Sequence, residues 1–138
     1  MKTIYTASAV ATGDGRNGHV QSTDGHLDLD VRIPEEMGGS GGATNPEQLF
    51  AAGYAACFHS ALRMVAAQAK ADVTDSEVVA DVSIGANDAG GFGLAVQLEV
   101  TVPALEADRA RELVEQAHQV CPYSNATRGN VEVTLTVA

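Results

Sequence analysis

Apolar and polar residues alternate strictly over HLDLDVRI, residues 26–33. Leu27, Leu29, Val31 and Ile33 fall on one side; Asp28, Asp30 and Arg32 fall on the other. A period of two is that of a half-buried strand. Residues 2–11, rich in Thr, Val, Ile and Tyr, and residues 19–23 also read as strands, with GDGRNG (13–18) as a turn region. Asp24-Gly25 supplies a hairpin turn. Residues 76–87 and 91–102 bracket Asp88-Ala89-Gly90 and predict a further hairpin, and 131–137 predict a final strand.

The period becomes helical after residue 45. Asn45 fits an N-cap, Pro46 the first helical position, Glu47 the first turn, and Gln48 completes a capping-box pattern. Leu49, Phe50, Gly53, Tyr54, Cys57, Phe58, Ala61, Leu62 and Val65 then form an apolar stripe about four turns long. A second helix opens at Pro103 and runs about 18 residues, with Ala110, Leu113, Val114, Ala117 and Cys121 as its stripe. Pro122 ends it, because the residue before a proline is pushed out of helical geometry. PEEMGGSGGAT, 34–44, reads as a flexible glycine-rich loop. The order βββ-α-ββ-α-β predicts an α+β domain, an antiparallel sheet with two core helices. At 138 residues, a single domain over 1–138 is expected.

Composition narrows the function. The net charge is −10, which excludes a phosphate-backbone partner needing clustered Lys and Arg, and an anionic membrane surface. No apolar run approaches the roughly 20 residues of a spanning helix. MKTIYTASAVATGDG is too weakly apolar for a secretory signal, so a cytoplasmic protein is expected. In that reducing compartment a permanent structural disulfide is not expected. The chain has two cysteines, Cys57 and Cys121, each on the apolar stripe of its helix.

Two inward-facing stripes in a one-core domain must lie close, so cysteines 64 residues apart could meet. Three readings stay open: inert core thiols, a redox pair, or metal ligands. Cys57 and His59 point to nearly opposite helix faces. His118 and Cys121 could share a face, but no CxxC spacing is present, which sets a structural zinc site aside. His59 and His118 read as surface or helix-packing residues. A redox pair needs a cation to ionise the attacking thiol, with Arg16, Arg32, Arg63 and Arg128 as candidates; each alone also reads as solvated. GDGRNG matches the dinucleotide pattern G-x-G-x-x-G but is followed by a strand rather than a helix, and GGSGGATN lacks the Gly-Lys-Ser/Thr ending of a phosphate loop.

The segments NPEQLFAAGYAACFHSAL and CPYSNATRGN, with GDGRNGHVQSTDGHLDLDV and MGGSGGATNPEQLF, resemble the organic hydroperoxide resistance proteins, a branch of the OsmC-like superfamily. The resemblance extends from about residue 3 to the end of the chain. It implies a tightly intertwined homodimer of OsmC-like fold, with active sites at the subunit interface. It also implies a thiol-dependent peroxidase without a bound cofactor. Cys57 would be the peroxidatic cysteine and Cys121 the resolving one. Arg16, in the early glycine-rich turn, would lower the Cys57 pKa and polarise the peroxide, and Glu47 of NPEQ would hold Arg16 by a bidentate ion pair. The reductant implied is a lipoyl dithiol carried on a lipoylated protein.

One geometric point stands apart from the resemblance. Glu47 and Cys57 are ten residues apart, about 15 Å of rise and roughly 80° of rotation on a straight helix. Glu47 would serve the thiol of its own chain only if the helix breaks or Arg16 bridges the distance; supply of Glu47 across a dimer interface is the alternative arrangement. Two competing classes are a redox-inactive protein that binds an apolar ligand and a slow redox sensor. Nothing resembles a DNA-binding helix.

Overall fold

The computed structural model describes residues 1–138. Its elements run β1 (Ala9–Asp14), β2 (Asn17–Ser22), β3 (Asp28–Asp30), a 3-10 turn (Glu35–Met37), α1 (Pro46–Gln68), β4 (Glu77–Ala86), β5 (Phe92–Thr101), α2 (Ala107–Val120), α3 (Pro122–Thr127) and β6 (Glu132–Val137). The chain divides into two compact units, Met1–Leu49 and Phe50–Ala138. The expected α+β class is observed, with two three-stranded sheets in orders β1-β2-β3 and β4-β5-β6.

The first unit is an antiparallel meander. Asp14 pairs with Asn17, so the tight connection is Gly15-Arg16 and most of GDGRNG is strand rather than turn. Gly15 has φ +64°, a value glycine adopts without a Cβ clash. Residues 2–8 form no strand, and β3 keeps only three residues of the expected eight. The reason is burial: from residue 1 to 49, only Val31 and Asn45 are buried. Without a covering layer, alternation alone does not hold a long strand. Polar contacts do much of the ordering here. Arg32 donates from Nη1 to the Gly18 carbonyl (2.9 Å), and Ile33 N–H donates to Asn17 Oδ1 (3.1 Å). His19 Nδ1 bonds Asp30, and its Nε2 bonds Asp28, tying β2 to β3.

The second unit holds the core. Along β4, Val78, Ala80, Val82 and Ile84 are the less exposed set, and along β5 the buried set is Val96, Leu98 and Val100. These meet Tyr54, Phe58, Leu62 and Val65 from α1 and Ala110, Leu113, Val114 and Ala117 from α2. The sheet is not wholly antiparallel: β4 and β5 are antiparallel over ten pairs, but β6 pairs parallel to β5, with Val96 opposite Val133 and Leu98 opposite Leu135. The chain crosses over through α2 and α3 before β6 returns, which is how parallel neighbours are joined.

Two helix boundaries differ from expectation. Pro103 lies in a turn, closed by Leu105 N–H to the Val102 carbonyl, and α2 begins at Ala107 after Glu106. Pro122 both ends α2 and opens α3, because its missing N–H and fixed φ suit a first helical position. The expectation that no apolar run approaches spanning length is also corrected. Helix α1 has 23 residues and is apolar enough, by length and composition, to cross a membrane. Its alanine-rich stretch carries few charges; in this fold Tyr54, Phe58, Leu62 and Ala66 are buried from it.

Candidate active site

The N-terminus of α1 is set by Asn45, whose Oδ1 accepts from Gln48 N–H at 2.9 Å. The Gln48 side chain instead accepts from Thr44 Oγ1, so the capping box is made on one side only. This start places Glu47 in the first turn, where a carboxylate suits the positive end of the helix. Arg16, at the tip of the β1–β2 hairpin, reaches it. Nη1 donates to Glu47 Oε2 at 2.8 Å and Nη2 donates to Oε1 at 2.7 Å. The two-pronged geometry fixes the plane of the guanidinium as well as its position. The hydrogen bond from Arg16 holds the Glu47 carboxyl below its usual value, against a smaller opposing effect of burial. Glu47 in turn raises Arg16, so the pair stays charged.

Cys57 and Cys121 are brought together in the second unit. The Cys121 thiol donates to Cys57 Sγ at 3.6 Å, and both are free thiols. Cys121 is fully buried and Cys57 is partly exposed, so an incoming reagent meets Cys57 first. Cys121 sits at the joint between α2 and α3 in extended geometry, φ −63°, ψ 123°. Burial pushes the Cys57 thiol above its ordinary value, the Tyr123 backbone N–H pulls it down, and the Cys121 thiol adds to the rise. The two members of the pair therefore differ in access.

Phe50, Tyr54 and Tyr123 cluster beside the thiols. Ring centroids are 6.3 Å apart for Phe50–Tyr54 and Phe50–Tyr123, and 5.7 Å for Tyr54–Tyr123, all tilted or edge-on. Gly53 makes room for this cluster: a Cβ there would stand 3.0 Å from Tyr123 Oη and 3.2 Å from its Cε2.

Two of the other candidate cations are engaged elsewhere, and Arg63 is exposed on α1. Arg32 caps carbonyls in the first unit, and Arg128 donates to Asn125 Oδ1 and to the His118 carbonyl. His59 bonds Ser76 Oγ at 3.0 Å. His118 is more than a packing residue: its Nδ1 bonds Ser124 Oγ at 2.8 Å. No group of His, Cys, Asp and Glu has the arrangement of a metal site. Sequence reading missed Ser124, Thr127 and the role of Tyr54. Ser124 and Thr127 stand three apart in CPYSNAT, on one face of a helix turn, which was the available signal.

The OsmC-like protein family model matches residues 39–136. The organic hydroperoxide resistance protein of Xanthomonas axonopodis pv. citri is 55% identical over 139 residues, covering 99% of this chain and 96% of that protein. Organic hydroperoxide resistance protein OhrB of Bacillus subtilis is 48% identical, covering 96% of each. The crystal structure of an organic hydroperoxide resistance protein from Legionella pneumophila superposes with a TM-score of 0.95 at 55% identity, covering 99% of both chains.

Proposed function

Because this chain belongs to the OsmC-like family, and within it to the organic hydroperoxide resistance proteins, we propose that it protects against organic hydroperoxides as a thiol-dependent peroxidase. The observation that carries this reading is the 3.6 Å approach of a partly exposed Cys57 to a buried Cys121. Inert core thiols need neither the approach nor the difference in access.

In the proposed cycle the Cys57 thiolate attacks the terminal peroxide oxygen. An S–O bond forms, the O–O bond breaks, and the leaving alkoxide takes a proton to become an alcohol. The Cys121 thiol then attacks the Cys57 sulfenic acid; the S–S bond forms and water leaves. Sulfur atoms must close from 3.6 Å to about 2 Å, a shift within side-chain reach. A lipoyl dithiol on a lipoylated protein reduces the disulfide by two exchange steps and becomes a disulfide itself.

Burial raises the Cys57 thiol, so a cation is needed to favour the thiolate. Arg16, held by Glu47, is assigned that role and that of polarising the peroxide. Helix α1 is unbroken from Pro46 to Gln68. The supply of Arg16 and Glu47 from a second protomer of a homodimer is the arrangement that avoids spanning the helix. Exposure of Ile4 (98%), Tyr5 (78%) and Val10 (55%) supports a second copy as partner for the first unit. No cofactor is required, and the reading takes the protein as cytoplasmic, where thiols stay reduced.

Phe50 and Tyr123, packed against the fully buried Tyr54, supply an apolar wall for an alkyl group. Each buried methylene is worth about 0.8 kcal/mol, so tert-butyl hydroperoxide should be reduced at least about tenfold faster than hydrogen peroxide at equal concentration. The measurement is peroxide consumption with dihydrolipoamide as reductant. Equal rates for the two peroxides would remove the alkyl pocket from the proposal, and no turnover of either would remove the peroxidase.

A further inference from the structure

Three polar side chains stand three residues from a cysteine: Tyr54 before Cys57, His118 before Cys121, and Ser124 after Cys121. They are joined in one hydrogen-bonded chain with Thr127. Tyr54 and Ser124 are completely buried and Thr127 nearly so. The contacts are His118 Nδ1 to Ser124 Oγ (2.8 Å), Ser124 Oγ to Tyr54 Oη (2.8 Å), Tyr54 Oη to Thr127 Oγ1 (3.1 Å), and Thr127 Oγ1 to the Ser124 carbonyl (3.2 Å).

Proton counting gives this chain a direction. A carbonyl can only accept, so Thr127 donates to it. Its single proton spent, Thr127 accepts from Tyr54. Tyr54 then accepts from Ser124, and Ser124 accepts from His118. His118 therefore carries its proton on Nδ1. Every hydroxyl donates once, in keeping with the absence of any buried side-chain N or O atom without a partner. The chain ties the turn after Cys121 to α1 through Tyr54 and to α2 through His118. Cys121 lies at the joint between those two attachments.

We propose that Tyr54, Ser124 and His118 are positioning residues that hold the Cys121 thiol at closing distance from Cys57. This rests on the reading of the two cysteines as a pair that closes to a disulfide. The groups act through backbone placement and touch neither peroxide nor the reacting sulfurs in the proposed cycle. Removing a link leaves a buried partner unsatisfied and frees the α2–α3 joint.

The test uses the reduced full-length protein and dithiobis-nitrobenzoate, which reports closure without any peroxide. The Cys57 thiolate displaces one thionitrobenzoate and becomes a mixed disulfide. The Cys121 thiolate then attacks Cys57 Sγ and displaces the second. In Tyr54→Phe and Ser124→Ala the first release should stay within about twofold of wild type, while the second slows about tenfold. His118→Leu should slow the second release similarly, and His118→Asn, which keeps an N–H near the Nδ1 position, should restore it. The His118 pair keeps the test open if a core variant fails to fold. A wild-type second-release rate in Tyr54→Phe, Ser124→Ala or His118→Leu would overturn the inference and leave the peroxidase reading standing. No second release from the wild-type protein would overturn the disulfide reading and this inference with it.

Discussion

Cys57→Ser is expected to reduce alkyl hydroperoxide turnover with dihydrolipoamide by about a thousandfold or more. A serine hydroxyl is not ionised near neutral pH, and it offers no sulfur for the peroxide oxygen. Cys121→Ser should behave differently. It should still consume about one equivalent of peroxide per chain in the first turnover, because the attacking thiol is intact. It should then accumulate Cys57 sulfenic acid, trappable by a carbon-acid nucleophile and visible as a mass increase. Steady-state turnover should fall, since the dithiol must then reduce the sulfenic acid directly. If both variants consumed peroxide at the wild-type rate, the 3.6 Å thiol contact would be core packing with no chemistry. If Cys121→Ser showed no first equivalent either, the division of roles between the two cysteines would fail.

The second large effect concerns the ion pair of the first unit. Arg16→Ala is expected to lower kcat/KM for an alkyl hydroperoxide by about a hundredfold to a thousandfold, the usual loss when one preorganised charged donor is removed from a reaction. The same variant should raise the pH midpoint for Cys57 alkylation by iodoacetamide. An unchanged alkylation profile would separate Arg16 from Cys57 and leave it a purely structural role. Glu47→Gln tests the other half of the pair through pH. Arg16 holds the Glu47 carboxyl below its ordinary value in the folded protein. The stabilising effect is therefore complete above the ordinary carboxylate pKa and is lost as pH falls through the lowered one. Urea unfolding should show wild type more stable than Glu47→Gln near neutral pH, with the difference shrinking toward acid. A difference that grew in acid would contradict the ion-pair geometry. Both side chains retain solvent contact, 35% for Arg16 and 13% for Glu47, so the stability effect should be modest beside the catalytic one.

The helices were more legible in the sequence than the strands, and the reason is local chemistry. Asn45, Pro46 and Gln48 specify where α1 starts within three residues, and the Asn45–Gln48 bond forms as the pattern requires. All five residues of the predicted second stripe, Ala110, Leu113, Val114, Ala117 and Cys121, are buried. Strand lengths depend on what covers the sheet, which a single chain's pattern does not state. HLDLDVRI alternates perfectly over eight residues, yet pairs as strand only over Asp28–Asp30, and Leu29 is exposed. The parallel return of β6 was equally silent, because a strand's own alternation is the same whichever way its neighbour runs. Pro122 shows the same limit in a helix: one proline that stops α2 also starts α3, and only the residues after it decide.

At the candidate site, residue types were legible and their wiring was not. Cys57, Cys121, Arg16 and Glu47 stood out through their motifs. Tyr54 looked like one more apolar position, and His118 like a packing residue. Their partners, the hydroxyls of Ser124 and Thr127, come from α3, a helix of six residues too short to announce itself by periodicity.

The aromatic cluster also gives the protein its own optical gauge. The chain has no tryptophan and three tyrosines. Tyr5 is largely in solvent, whereas Tyr54 and Tyr123 lie 5.7 Å apart in the cluster beside the thiols. Near-ultraviolet circular dichroism of the tyrosine band therefore draws most of its fixed asymmetry from the neighbourhood of Cys57 and Cys121. The closing and reopening of the thiol pair in the proposed cycle should therefore register in that band in real time, with no label attached and no residue replaced.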